Sequence, residues 1–174
     1  WTFLTQMPSN AMTEGGILPC ILGTIYLSVG ALAIAFPLGI ASAIYLNEYA
    51  RQGFVLRAIR FGINNLAGVP SVVFGLFGLA VFVTWMEIGV SILSGALTLG
   101  FLTLPVIIGT AEEALKSVPN TYREASLGLG ATKWQTIYRV VLPTALPSIL
   151  TGGILALSRA AGETAAIMFT AAVF

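Results

Sequence analysis

The chain contains no histidine, no aspartate and a single cysteine, Cys20. Without His or a Cys/His cluster it has no metal-ligand set of recognisable spacing and no His-centred acid–base constellation. A lone Cys closes no internal disulfide, so Cys20 reads as a small apolar filler. Charge is scarce as well: charged residues make up 9% of the 174 positions, against about a quarter in soluble domains. That is too little to coat a water-facing surface, so a bilayer is the natural solvent. A net charge of +1 provides no electrostatic footprint for nucleic acid. No G-x-x-x-x-G-K-[ST] occurs, so the chain has no loop to cradle ATP phosphates. No basic stretch followed by a small-residue cleavage site opens it, so no signal peptide is expected.

What remains is apolar sequence, 57% of the chain, with no strand-like alternation to compete with a helical reading. The expected fold is all-α and polytopic. A spanning helix needs about 20 mostly apolar residues, and the sequence offers four candidates: Ile17 to Leu46, Asn64 to Met86, Ile88 to Thr110 and Pro143 to Phe174. The first is uncharged and longer than one span needs, with Pro37 and Gly39 as a place to kink. Residues 1–16 lack an apolar span, and the chain stops inside apolar sequence, so flanking helices are expected to be missing.

The positive charges set the orientation. Arg51, Arg57 and Arg60 follow the first span; Lys116, Arg123, Lys133 and Arg139 lie between the third and fourth. Seven of the eight basic residues thus fall in two alternate loops, which the positive-inside rule places in the cytoplasm. The N-terminus of the chain is then outside.

The second of these loops has its own helical grammar. Thr121 followed by Glu124 fits a capping box opening a helix from Tyr122 to Leu129. Gly128 and Gly130 break it. Thr132 caps a second helix, Lys133 to Val141, and Pro143 and Pro147 set the start of the next span. Glu48 is expected to pair with Arg51 or Arg57; Glu112 and Glu113 are expected to be solvated or paired with Lys116.

Within this loop Glu124-Ala125-Ser126, Gly130 and Leu142-Pro143 stand at the spacing E-A-A, three residues, G, nine residues, I-x-L-P. Ser126 replaces the second Ala and Val140 the Ile. The segment resembles the cytoplasmic coupling loop of ABC-importer permeases, with the coupling segment at about 111–142 inside a permease domain over 17–174. Three further stretches are similar to the A-type permease subunits of phosphate ABC importers, within the MetI-like permease superfamily: Asn65 to Gly78, Tyr45 to Ala50, and Arg159-Ala160-Ala161-Gly162-Glu163-Thr164-Ala165. The last is shared with sulfate and molybdate or tungstate permeases. The other two favour phosphate.

The resemblance implies a non-catalytic, multi-pass subunit of the bacterial cytoplasmic (inner) membrane that carries phosphate inward. It implies a paralogous C-type permease, two copies of a cytoplasmic ATPase and a periplasmic phosphate-binding protein as partners. ATP and Mg would be used by the ATPase, and this chain would bind no cofactor. Glu124, Ala125, Ser126, Gly130, Leu142 and Pro143 would serve ATPase coupling.

Arg159 and Glu163 stand four apart inside apolar sequence, where a charge costs about 2.5–3.5 kcal/mol. They share one helix face, with Arg159 roughly 24 Å beyond Pro143 at about 1.5 Å per residue, in the outer part of the span. Two readings stay open. Arg159 offers N–H donors to a tetrahedral oxyanion while Glu163 orients it or takes a proton, or the two form a structural salt bridge. Gly68, Pro70 and Ser71 form either a helix break on the substrate path or a packing notch. A channel would not need the coupling spacing, and a membrane enzyme would need more reactive groups than these.

Overall fold

The computed structural model describes residues 2–5, 7 and 16–171. Most of the expected outer N-terminal segment, 1–16, and the last residues of the fourth expected span lie outside them. Among the described residues all regular structure is helical: α1 (Thr2–Thr5), α2 (Leu18–Ile44), α3 (Phe54–Ala67), α4 (Ser71–Gly78), α5 (Ile92–Ser117), α6 (Asn120–Gly128), α7 (Lys133–Thr136), α8 (Leu142–Ala161) and α9 (Ala165–Thr170). Wide π-helical turns extend three of them, at Tyr45–Tyr49 after α2, Leu79–Trp85 after α4, and Ile137–Val141 between α7 and α8.

Three continuous helices are long and apolar enough to cross a membrane: Leu18–Tyr49, Ile92–Ser117 and Lys133–Ala161. The central pair is α2 and α5. On α2 every fourth residue is buried, from Leu27 through Ala31, Ala35 and Gly39 to Ala43, and this stripe of small side chains lets α5 approach closely. A Cβ at Gly39 would stand 2.5 Å from Ile107 Cγ2, and one at Gly100 would stand 3.4 Å from the Ala31 carbonyl. Where the solvent is as apolar as the side chains, such van der Waals fit is what holds helices together. At one end of the bundle Val141, Ala145 and Ile149 join Ala43, Ala111 and Leu115 in a shared cluster.

The second expected span needs correction. Asn64 to Ala67 belong to α3, and α4 with its π turn runs from Ser71 to Trp85 at 97° to it. The corner is Gly68-Val69-Pro70. Gly68 ends α3, and Pro70 (φ −56°, ψ 138°) is the extended residue before α4; proline also disfavours helical geometry at Val69. α3 has one buried residue, Leu56, and leaves Phe54, Val55 and Phe61 exposed. Arg60 pins it to α5 by an ion pair with Glu112, which also receives Lys116 Nζ at 3.1 Å. Glu112 is therefore buried and doubly paired, not solvated.

Two other boundaries shift. The third span runs from Ile92 to Ser117, taking in Glu112, Glu113 and Lys116. It opens with Ser91 Oγ accepting the Ser94 N–H at 3.2 Å. The fourth begins at Lys133, ten residues before Pro143. The expected cap is present: Thr132 Oγ1 accepts the Gln135 N–H at 3.3 Å, and Gln135 Oε1 accepts the Thr132 N–H at 2.9 Å. The chain then passes Pro143 without breaking because the preceding turn is widened, the Leu142 N–H reaching back to Ile137 O. That widening relieves the crowding a proline ring imposes on the carbonyl four residues before it.

The far end also differs. α8 stops at Ala161, and α9 follows after Gly162-Glu163-Thr164. α9 packs on α4, where a Cβ at Gly75 would lie 3.0 Å from Ala166 Cα. Ala166 is buried with Leu27, Ala31 and Leu99.

Candidate functional site

Both basic loops meet at one end of the bundle. Arg123 of α6 reaches Glu48 in the π turn that ends α2, with Nη2 at 2.9 Å and Nε at 3.3 Å from Oε1. Lys133 Nζ sits 5.1 Å above the ring of Tyr49 in the same turn. Glu48 therefore pairs with neither Arg51 nor Arg57.

α6 begins at Asn120, with Pro119 as its N-cap and no side-chain cap. The expected Thr121–Glu124 capping box is absent, because Pro119 (φ −58°, ψ 138°) sets the helix start upstream of Thr121. Glu124 and Ala125 are exposed, and the Glu124 carboxylate makes no ion pair among the described residues. Ser126 is half-buried, and its hydroxyl lies 2.9 Å from that of Thr136, joining α6 to α7.

The motif glycine has a conformational reason. Gly130 has φ +84°; the Ala131 N–H bonds Ser126 O at 3.2 Å and the Gly130 N–H bonds Leu127 O at 2.9 Å. This is a Schellman ending with Gly130 at the left-handed position. Leu142 packs against the Ala43–Leu115–Val141 cluster. Pro143 lies across a groove from Tyr122, so the two ends of the motif are adjacent. No residue of α6 is buried, and Tyr122, Leu127 and Leu129 present apolar surface, Leu129 at 90% exposure.

Arg159 and Glu163 are not on one helix face, because α8 ends between them: Gly162 N–H bonds Arg159 O at 3.2 Å and Glu163 N–H bonds Ala160 O at 3.3 Å. Arg159 is exposed, Glu163 is half-buried, and neither makes an ion pair among the described residues. The structural salt bridge is thus absent. Ala156, one turn before Arg159, packs with Ala35 and Ile107, and Arg159 stands two residues before the end of the long helix Lys133–Ala161, at the break between α8 and α9.

A second polar feature was not visible in the sequence. Thr110, Glu113 and Ser117 of α5 face Ser148, Thr151 and Gly152 of α8 across a groove of about 310 Å³. Thr110, Ser117 and Thr151 give their hydroxyl protons to carbonyls of their own helices. Their lone pairs and the Glu113 carboxylate remain to face the groove. The Gly68–Pro70 corner borders a cavity of about 460 Å³ walled by Leu66, Val69, Phe74, Phe77 and Phe101 among other apolar residues. It offers an oxyanion no donor.

Residues 35–173 match the family model described as "Binding-protein-dependent transport system inner membrane component". The chain is 41% identical over 169 residues to the probable ABC transporter permease protein YqgI of Bacillus subtilis, covering 97% of this chain and 58% of that protein. It is 40% identical over 168 residues to phosphate transport system permease protein PstA 1 of Mycobacterium tuberculosis, covering 97% and 55%. With PstA of Yersinia pestis it shares 40% over 170 residues, covering 98% and 57%. The chain thus spans little more than half the length of these relatives. A solved structure of the MetNI methionine ABC transporter, in inward-facing conformations, has the same fold at a TM-score of 0.74 and 19% identity, covering 84% of this chain and 72% of that one.

Proposed function

The chain belongs to the family of binding-protein-dependent transport system inner membrane components, and on that footing we propose that it is part of the permease subunit of an ATP-driven importer of inorganic phosphate. The observation that carries the substrate is about 40% identity to phosphate permeases over nearly the whole chain. A sulfate or molybdate importer is the second reading, favoured by the oxyanion-type stretch Arg159 to Ala165.

In this reading the basic end of the bundle faces the cytoplasm and the N-terminal end of α2 faces outward. Phosphate arrives from a periplasmic binding protein and passes between this chain and a paralogous permease. Arg159, at the break between α8 and α9, meets it. A guanidinium without an ion-pair partner beside a helix break can address an anion where that break lines a cavity. The groove between α5 and α8 presents acceptor lone pairs and the Glu113 carboxylate, which repel an oxyanion, so it is not assigned to the path. α6, with its exposed Tyr122, Leu127 and Leu129, seats in a cleft of a cytoplasmic ATPase. Two such ATPases bind and hydrolyse ATP with Mg, and this chain contributes the moving part and no catalysis.

The test is labelled-phosphate uptake by the full-length protein assembled with its partners, competed separately with excess sulfate and molybdate. ATP-dependent uptake blocked only by phosphate supports the assignment. Uptake blocked by sulfate or molybdate replaces the substrate. An assembled complex that carries none of them refutes the transport reading.

A further inference from the structure

α6 is held to the bundle in an unusual way. Helices normally dock through a buried apolar face, yet no residue of α6 is buried. Beside the Ser126–Thr136 hydroxyl contact, Arg123 does most of the holding. Its Nη1 donates to Val118 O at 2.7 Å and Asn120 Oδ1 at 3.2 Å, and its Nη2 donates to Leu115 O at 2.8 Å and Glu48 Oε1 at 2.9 Å. The Arg123 and Glu48 side chains are only 16% and 9% exposed. Glu48 is itself fixed, since Asn47 Nδ2 donates to the same oxygen at 2.9 Å. Only a guanidinium, with its planar fork of five N–H groups, addresses this many acceptors on different elements at once.

The elements joined are telling. Leu115 and Val118 are at the end of α5. Glu48 is in the π turn that closes α2, a turn whose wide geometry is set by the Ala50 N–H bonding Tyr45 O at 2.9 Å. π turns inside or ending a helix often mark functional positions. Lys133 of α7 rests on Tyr49 of the same turn, so both halves of the coupling segment touch it. α8 follows α7 as one continuous span.

The geometry points to the Tyr45–Tyr49 turn as the receiver through which α6 moves α2, with Arg123 as the positioning residue that makes α6 one rigid body with the ends of α2 and α5. A displacement of α6 then reaches three spans: α8 through the chain, α5 through Leu115 and Val118, and α2 through Glu48. This rests on reading α6 as the helix that an ATPase moves. It adds which residue makes the grip and which spans are gripped.

The experiment measures oxyanion carried per ATP hydrolysed in purified, assembled complexes, for wild type, Arg123→Gln, Glu48→Gln, the double variant and the exposed control Arg57→Gln. A residue needed only for folding lowers the amount of complex and leaves this ratio intact. Arg123→Gln is expected to lower the ratio about tenfold or more, a coupling change of an ordinary allosteric size. Glu48→Gln lowers it in the same direction, the double variant matches the worse single one because both act through one contact, and Arg57→Gln leaves it unchanged. If Arg123→Gln does not assemble, Glu48→Gln, nearly isosteric, decides. Wild-type ratios in assembled Arg123→Gln and Glu48→Gln overturn the proposal, as does a double variant whose loss is the product of the single losses. The ratio is taken with whichever oxyanion the wild type carries, so a sulfate carrier overturns the phosphate assignment and leaves this test standing.

Discussion

Gly128 and Gly130 sit two residues apart at the end of α6, and the same substitution should act on them with opposite sign. Gly130 has φ +84°, where a Cβ meets the following carbonyl at a cost of about 1–2 kcal/mol. The position has open space around it, so the penalty of Gly130→Ala is conformational and not a clash. Gly128 is the last residue of the helix, with no positive φ and nothing within 4 Å of the place a Cβ would occupy. There Gly128→Ala removes backbone freedom from the unfolded segment and stabilises by about 0.5–1 kcal/mol. The two variants therefore differ by roughly 2 kcal/mol in closing the turn. The reporter is the Ala131 amide, which bonds Ser126 O across the ending. Hydrogen exchange followed by mass spectrometry on the assembled complex should show the peptide containing it exchanging faster in Gly130→Ala than in Gly128→Ala. A local opening difference of about 2 kcal/mol is about 30-fold in rate. Equal exchange in the two, or faster exchange in Gly128→Ala, would refute the assignment of Gly130 as the left-handed cap.

Three more outcomes are expected. Arg159→Gln should abolish uptake in a complex that still assembles, because the exposed Arg159 makes no ion pair among the described residues; normal uptake by an assembled variant removes Arg159 from the path. Ser126→Ala loses the 2.9 Å contact with Thr136, about 0.5–1.5 kcal/mol of local stability, and should leave uptake largely intact; abolished uptake would make the hydroxyl essential in its own right. Gly152→Leu drives a branched side chain into Thr110, whose Oγ1 lies 2.6 Å from where a Cβ at Gly152 would stand. It should lower the melting temperature of the complex by the equivalent of about 1–3 kcal/mol, whereas Gly109→Ala, which opens on empty space, should not; equal melting temperatures would mean that α5 and α8 are not packed this closely.

Much of the architecture was legible because it depends on composition and local chemistry. Apolar length announces the spans, and the two clusters of Lys and Arg foretell that both loops share an end. Thr132 with Gln135, and the glycine at 130, carry their geometry in a few neighbouring residues. Two of the readings that failed assumed that helical periodicity continues. An apolar window does not distinguish α3, which turns 97° away, from the helix Ser71–Trp85 that follows it. The Arg159–Glu163 spacing places both on one face only if the helix runs on, and it stops at Ala161. The Thr121–Glu124 box was displaced by Pro119, a constraint one residue outside the pattern. The Glu48–Arg123 pair joins positions 75 apart in sequence, and nothing local in a single sequence connects them.

Two sets of irregular places in this chain contrast, and the contrast has mechanical sense. In the hydrocarbon region a departure from helix is tolerated only where protein or water satisfies the freed backbone groups. At the basic end the departures are heavily tied: the Tyr45–Tyr49 turn by Arg123, Asn47 and Lys133, and the Ile137–Val141 turn by burial of Ile137 and Val141. The α8–α9 break is tied only by its own backbone, and Arg159 and Glu163 beside it are left without ion-pair partners among the described residues. A part that is pushed at one end must be stiff there, or the push dissipates in the loop. A part that handles a passing anion must leave its charged groups unspent, or the anion has nothing to bind. On the proposed function, the distribution of hydrogen bonds separates a stiff end that would receive force from a loosely tied break that would meet the solute, with α8 running from one to the other.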